Sequence, residues 1–196
     1  MVTMDRLREG VRKSLPEVSQ IADADLRDKV VEAWALSLAK NGFGSIEELR
    51  PSGNPDSAPL RSGTQADHLR GVALLAHSMA DALERVHGKI GVDRDLLWAC
   101  ALCHDVGKPF EFNPDNQKRW QNDVRASGYP ALRHTLYGVY IALTVGLPEA
   151  VAHAAGAHSK EGEFVKRSLE NTLVHHADHA YWRILDRAEL LDGHLT

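Results

Sequence analysis

Apolar residues along this chain recur at three- and four-residue intervals, with no convincing strict alternation. That spacing marks helices with one buried face, and it makes the fold class all-α. Leu7, Val11 and Leu15 define a first segment over about 4–15, which Pro16 ends or bends. Leu26, Val30, Trp34 and Leu38 share one side of a helix over 25–41, stopped by Gly42 and Gly44. Ser45-Ile46-Glu47-Glu48 has capping-box spacing and predicts a short helix. Further helices are expected at about 65–87, 94–104, 132–146, 148–158 and 165–191. Two stretches interrupt the pattern. Residues 51–63 hold three prolines, two glycines and several serines and read as a loop. Residues 109–130 are polar but carry Phe110, Phe112, Trp120 and Tyr129, and read as a long connection of the kind that serves as a lid.

The chain of 196 residues fits one domain. The loop at 51–63 divides it into an N-terminal helical cap with its loop (1–63), packed on a helical core (64–196). A cap of that size would be marginal alone, so the two are read as one folded body. A net charge of −4 with a pI near 6.2 gives no electrostatic reason to expect a nucleic-acid polymer or an anionic membrane as partner. No apolar run reaches the ~20 residues of a membrane span, and the first nine residues already carry Asp5, Arg6, Arg8 and Glu9, unlike a secretory signal. The default location is cytoplasmic. Oligomeric state is open, with a homodimer compatible. Cys100 and Cys103 form a C-x-x-C inside an apolar helical run, where small buried core residues are the expected reading.

The chemistry lies in the histidines and aspartates. One residue advances about 100° around a helix. On that wheel His68 shares a face with Val72, Leu75, Met79 and Leu83, whereas His77 points outward among Ala73, Asp81 and Glu84. Leu97 and Cys100 lead to His104, with Asp105 beside it, where an apolar run stops abruptly. His134 lines up with Gly138, Ile141 and Val145, and His158 with Val151 and Ala155, while His153 points elsewhere. Asp178 falls among Asn171, Val174, Trp182 and Leu185. An inward histidine or aspartate needs a partner. Any one alone is most simply a hydrogen-bonded core residue. Six on successive inward faces point instead to a divalent metal, whose usual ligands are imidazole and carboxylate.

The arrangement H…HD…D, here His68, His104-Asp105 and Asp178, resembles the HD-domain superfamily of metal-dependent phosphohydrolases. The stretch from His68 to Ala76 is similar to that family's first-ligand helix, and Leu102 to Pro109 to its central motif. Members with two metals add later histidines, which His134 and His158 match. Many of those members carry paired histidines where this chain has Ala157-His158. Gly128-Tyr129-Pro130 spells a tripeptide of one family branch but precedes His134 and is read as a turn. The likeness spans about 64–190.

That resemblance implies an HD-type helical bundle and one or two divalent ions of the Mn, Fe, Co, Ni or Mg class. His68, His104, Asp105 and Asp178 would hold the first ion, and His134 and His158 a second, with Asp105 bridging. It implies hydrolysis of a nucleotide or other small phosphoester by a metal-activated water. Lys108 would neutralise phosphoryl charge, although a solvated lysine is its plain alternative, and Arg133 is a weaker phosphate contact. His175 is a candidate supporting residue or a surface one. Two other functions stand as alternatives: a mixed-valent di-iron oxygenase cleaving a C–C or C–P bond, whose ligand set looks alike in sequence, and a non-catalytic binding module, a role of relatives that have lost the doublet, which His104-Asp105 argues against. Substrate and metal identity are not written in the motifs.

Overall fold

The structure is a computed structural model that describes residues 2–53 and 55–194. Its helices are α1 (Met4–Ser14), α2 (Ala24–Asn41), α3 (Gln65–His87), α4 (Arg94–Cys103), α5 (Lys108–Phe112), α6 (Pro114–Asn122), α7 (Val124–Ser127), α8 (His134–Thr144), α9 (Glu149–Ala157) and α10 (Leu169–Arg187). The described residues contain no strand, only an isolated antiparallel bridge between Leu60 and Leu191. No helix among them is long and apolar enough to cross a membrane.

Local chemistry sets the boundaries. Asp23 caps α2 through the amides of Asp25 and Leu26, and Gly42 ends it in the left-handed region at φ 78°. Thr64 and Asp67 form a capping box that starts α3, fixing His68 one turn inside it. Ser168 caps α10, so that helix begins later than the 165 expected. A 3₁₀ turn at Lys160–Phe164 occupies part of the preceding segment. The capping box expected at Ser45 does not form: Glu48 accepts from the amide of Gly44 instead, and a 3₁₀ turn follows at Ile46–Glu48.

The stretch 109–130 departs most from expectation. It is three short helices rather than a loop. Pro109 and Pro114 sit in first turns, where a missing N–H does no harm, and Asn113 and Asp123 cap α6 and α7. Trp120 is buried, and Phe110 stacks on Tyr137 with ring centroids 4.4 Å apart. These aromatics pin the segment to α8.

One continuous apolar core runs from Leu7 and Val11 of α1 through Trp34 of α2, Val72 of α3 and Leu97 of α4 to Ile141, Val151 and Val174. Helix α4 lies at its centre, packed against α2, α3, α9 and α10. Burying the leading face of α4 on all sides brings its C-terminal end, and the residues that follow, to the meeting point of the other helices.

Candidate metal centre

Pro109 cannot donate to the carbonyl of Asp105, and its ring would clash there if the helix continued. The chain therefore turns at His104–Gly107 before α5 begins. A buried helix end leaves carbonyls without partners. Two side chains of α2 supply them: Trp34 Nε1 donates to the carbonyl of Leu102 at 2.7 Å, and the Ser37 hydroxyl to that of Val106 at 2.6 Å. Helix α2 thus braces both sides of the His104-Asp105 pair. Gly107 keeps ordinary helical φ but touches α8 so closely that a Cβ would lie 1.9 Å from the carbonyl oxygen of His134.

The six sequence-predicted ligands come together. Asp105 is almost wholly buried, and its two oxygens approach different histidines. Oδ2 lies 3.3 Å from His68 Nε2 and 3.6 Å from His104 Nε2, and His68 Nε2 is 3.5 Å from Asp178 Oδ1. Oδ1 lies 3.3 Å from His134 Nε2 and 3.6 Å from His158 Nε2. The result is one carboxylate between two nitrogen pairs.

Ring orientation is set from behind. His104 Nδ1 donates to the carbonyl of Ala101 at 2.6 Å, and His158 Nδ1 to those of Ala154 and Ala155 at 3.1 Å. His134 Nδ1 donates to Glu111 Oε2 at 2.5 Å. In the neutral rings, each Nε2 then points a lone pair into the site. His134 and His158 present theirs 3.4 Å apart, which repels unless a cation lies between or one ring takes a second proton, as the pKa of His158, raised against burial by Asp105, favours. Asp178 Oδ1 is buried without a hydrogen-bond donor. Ligand atoms around an octahedral ion with bonds of about 2.1 Å sit roughly 3–4 Å apart, and the separations of 3.2–3.6 Å among these atoms match. Two sets, His68 with His104 and Asp178, and His104 with Asp105 and His158, have donor atoms close enough to share an ion. The residues therefore fit divalent cations.

Electrostatics agree. Burial pushes the Asp105 carboxyl up, but Lys108, His104 and the neighbouring histidines outweigh it and hold the carboxyl well below the ordinary value. Burial holds His104 down to about 4. Lysine 108 is not the solvated side chain its position after a helix end allows. It is buried, donates to the carbonyls of Ser52 and Gly53 at 2.6 Å, and stands 3.7 Å from Asp105 Oδ2. Arg133 pairs with Glu111 at 2.9 Å and Glu161 at 3.1 Å. A cleft of about 350 Å³ opens above Asp105, with Lys108, Arg133, Lys160 and Arg183 on its walls.

Other histidines lie elsewhere. His77 is half-buried rather than outward, stacked on Trp98 with centroids 3.7 Å apart, because α4 covers that side of α3. His153 accepts from the amide of Ser168. His175 donates to the carbonyl of His158 at 2.6 Å and steadies that backbone. Cys100 and Cys103 are free and buried, their thiols pushed up by burial. Sequence reasoning missed two residues. Gln65 donates to Asp105 Oδ2 at 2.8 Å, and Glu111 holds His134. Gln65 lies three residues before His68, one turn away on the same helix, a signal that existed. Glu111 was hidden in a stretch without periodicity.

Residues 66–182 match the HD domain family. The chain is also 30% identical, over 176 residues, to the dihydroneopterin 2',3'-cyclic phosphate phosphodiesterase of Methanocaldococcus jannaschii, covering 86% of this chain and 68% of that protein. No solved structure matches significantly. The buried carboxylate between histidine pairs and the family match across more than half the chain lead to one conclusion: this protein belongs to the HD-domain family and is a metal-dependent hydrolase.

Proposed function

We propose that this chain hydrolyses a small phosphodiester, with a cyclic phosphate on a compact organic group as the leading substrate class. The observation that carries the reading is Asp105, each oxygen facing a pair of histidine nitrogens at the floor of a cleft whose walls carry Lys108, Arg133, Lys160 and Arg183 beside Glu161. The relative that acts on a 2',3'-cyclic phosphate supports the diester choice. In this reading His68, His104, Asp105 and Asp178 hold a first divalent ion, and Asp105, His134 and His158 a second. When bound, such ions polarise a phosphoryl oxygen and lower the pKa of a water.

The chain's own residues do the rest. Lys108, fixed by two carbonyls, holds its side-chain nitrogen beside Asp105, where negative charge gathers on the phosphoryl oxygens. Arg133, held between Glu111 and Glu161, presents its guanidinium from the wall to orient the same group. Burial of the floor excludes bulk water and strengthens both contacts. Attack of a water oxygen on phosphorus breaks one P–O bond, and the departing oxygen takes a proton, leaving a monoester. The cleft suits a single nucleotide-sized molecule rather than a polymer. The same reading treats residues 1–63 as a cap on the 64–196 core.

The test is a turnover screen. Protein stripped with chelator and reloaded with Mn, Fe, Co, Ni or Mg is offered nucleoside 2',3'-cyclic phosphates, linear diesters and monoesters. Metal-dependent ring opening to a monophosphate, lost in Asp105→Asn, is expected. Turnover of monoesters alone, or oxygen uptake without phosphate ester cleavage, would reject the proposal.

A further inference from the structure

Glu111 is completely buried, and a buried carboxylate requires partners for both oxygens. Its partners are consecutive residues of another element. Oε2 accepts from His134 Nδ1 at 2.5 Å, and Oε1, which receives no hydrogen bond, is met by the charge of the Arg133 guanidinium at 2.9 Å. Arg133 occupies the N-cap position of α8 and His134 its first turn.

The position of each histidine explains why His134 needs this carboxylate. His104 and His158 sit at the C-terminal ends of α4 and α9, where the last carbonyls have no helical donor. Each ring folds back on carbonyls of its own helix, those of Ala101 and of Ala154 and Ala155. His134 starts a helix. The turn before it supplies no carbonyl, so its Nδ1 must find an acceptor from elsewhere, and α5 brings one. A carboxylate behind the ring also makes Nε2 a stronger donor to a cation than a carbonyl does.

Resting on the two-ion reading above, we propose that Glu111 is a positioning residue that builds the second ion position and, with the same carboxylate, aims Arg133 at the substrate phosphate. Occupancy of that position and the grip on the phosphate are coupled through one side chain. Loosening it affects both, while the ion held by His68, His104 and Asp178 is left alone.

The experiment titrates metal-free protein with Mn²⁺ alone and counts bound ions by electron paramagnetic resonance. It compares wild type, Glu111→Gln, Glu111→Leu and His134→Ala. The glutamine variant keeps the volume and one acceptor oxygen; the leucine variant keeps neither acceptor nor charge. The expected result is two ions in wild type. In the Glu111 variants the second should weaken about 10-fold to 100-fold, leucine the more, with the first within about twofold. Arg133, loosened, should raise KM with a smaller change in the binding of the first ion. A second readout needs no variant: in Zn²⁺-loaded wild type with ¹⁵N-labelled histidine, His134 should carry its proton on Nδ1. Two Mn²⁺ ions of unchanged affinity in both Glu111 variants would overturn the inference while sparing the two-ion reading. So would equal loss of both ions, the mark of a merely structural role, or a proton on His134 Nε2. A wild type that takes only one ion would bring down both.

Discussion

Replacing Gly107 by alanine tests how the site depends on the approach of two backbones. A Cβ at this position would lie 1.9 Å from the carbonyl oxygen of His134 and 2.6 Å from the amide nitrogen of Gly138. Both are main-chain atoms and cannot swing aside. Restoring an ordinary 3.4 Å contact requires α8 and the turn to part by about 1.5 Å. Overpacking of this kind costs about 1–3 kcal/mol or more. The displaced residue is His134, whose Nε2 stands 3.3 Å from Asp105 Oδ1. A misplacement near 1 Å can lower a rate about 100-fold. Gly107→Ala should therefore lose stability in urea unfolding, bind its second ion weakly and fall by about that factor in kcat/KM. Gly10 provides the contrast. It lies within α1 with nothing within 4 Å of a built Cβ, and Gly10→Ala should gain up to about 1 kcal/mol. A Gly107→Ala protein with wild-type stability and two tightly held ions would refute the reasoning, and so would equal behaviour of the two alanine variants.

Three further outcomes are expected. Ser37→Ala removes the donor to the buried Val106 carbonyl and should cost about 1–3 kcal/mol in denaturant unfolding; a change below about 0.5 kcal/mol would contradict the brace. Chelation should abolish turnover and lower Tm, because the facing nitrogens and Asp178 lose their common partner, and Mn²⁺ should restore both; unchanged Tm on stripping would argue that no ion joins the fold. Burial and nearby Arg94 hold His77 down to about 4, so its ring should stay neutral in NMR titration from pH 8 to below pH 5; since the folded value lies below the ordinary 6.5, its contribution to stability is intact above that pH and fades as pH falls toward 4, and a midpoint near 6.5 would disprove the burial.

The helices that carry the candidate ligands were legible because those side chains lie on the faces that packing buries. His68, His134 and Asp178 occupy apolar faces, so helical periodicity finds them. The ends of α3, α4, α8 and α9 follow from capping residues, prolines and glycines close to the expected positions. What escaped was set by tertiary contact. Residues 109–130 have no amphipathic period because their helices are at most nine residues long. Glu111 reads as one more charged residue until α8 is laid against α5. His77 occupies the side of α3 that isolated-helix geometry calls outward, and only the docking of Trp98 covers it. The burial of Lys108 depends on carbonyls of residues 52 and 53, which no local pattern connects to it.

The braces from Trp34 and Ser37 lie outside the stretch that matches the family, residues 66–182. A fragment trimmed to that stretch would retain every proposed ligand yet leave bare the main-chain oxygens of Leu102 and Val106, and strip Lys108 of both its acceptors. Grafting the catalytic half onto a different scaffold, or exchanging halves between relatives, must therefore carry α2 and the Ser52–Gly53 turn along as part of the transplant.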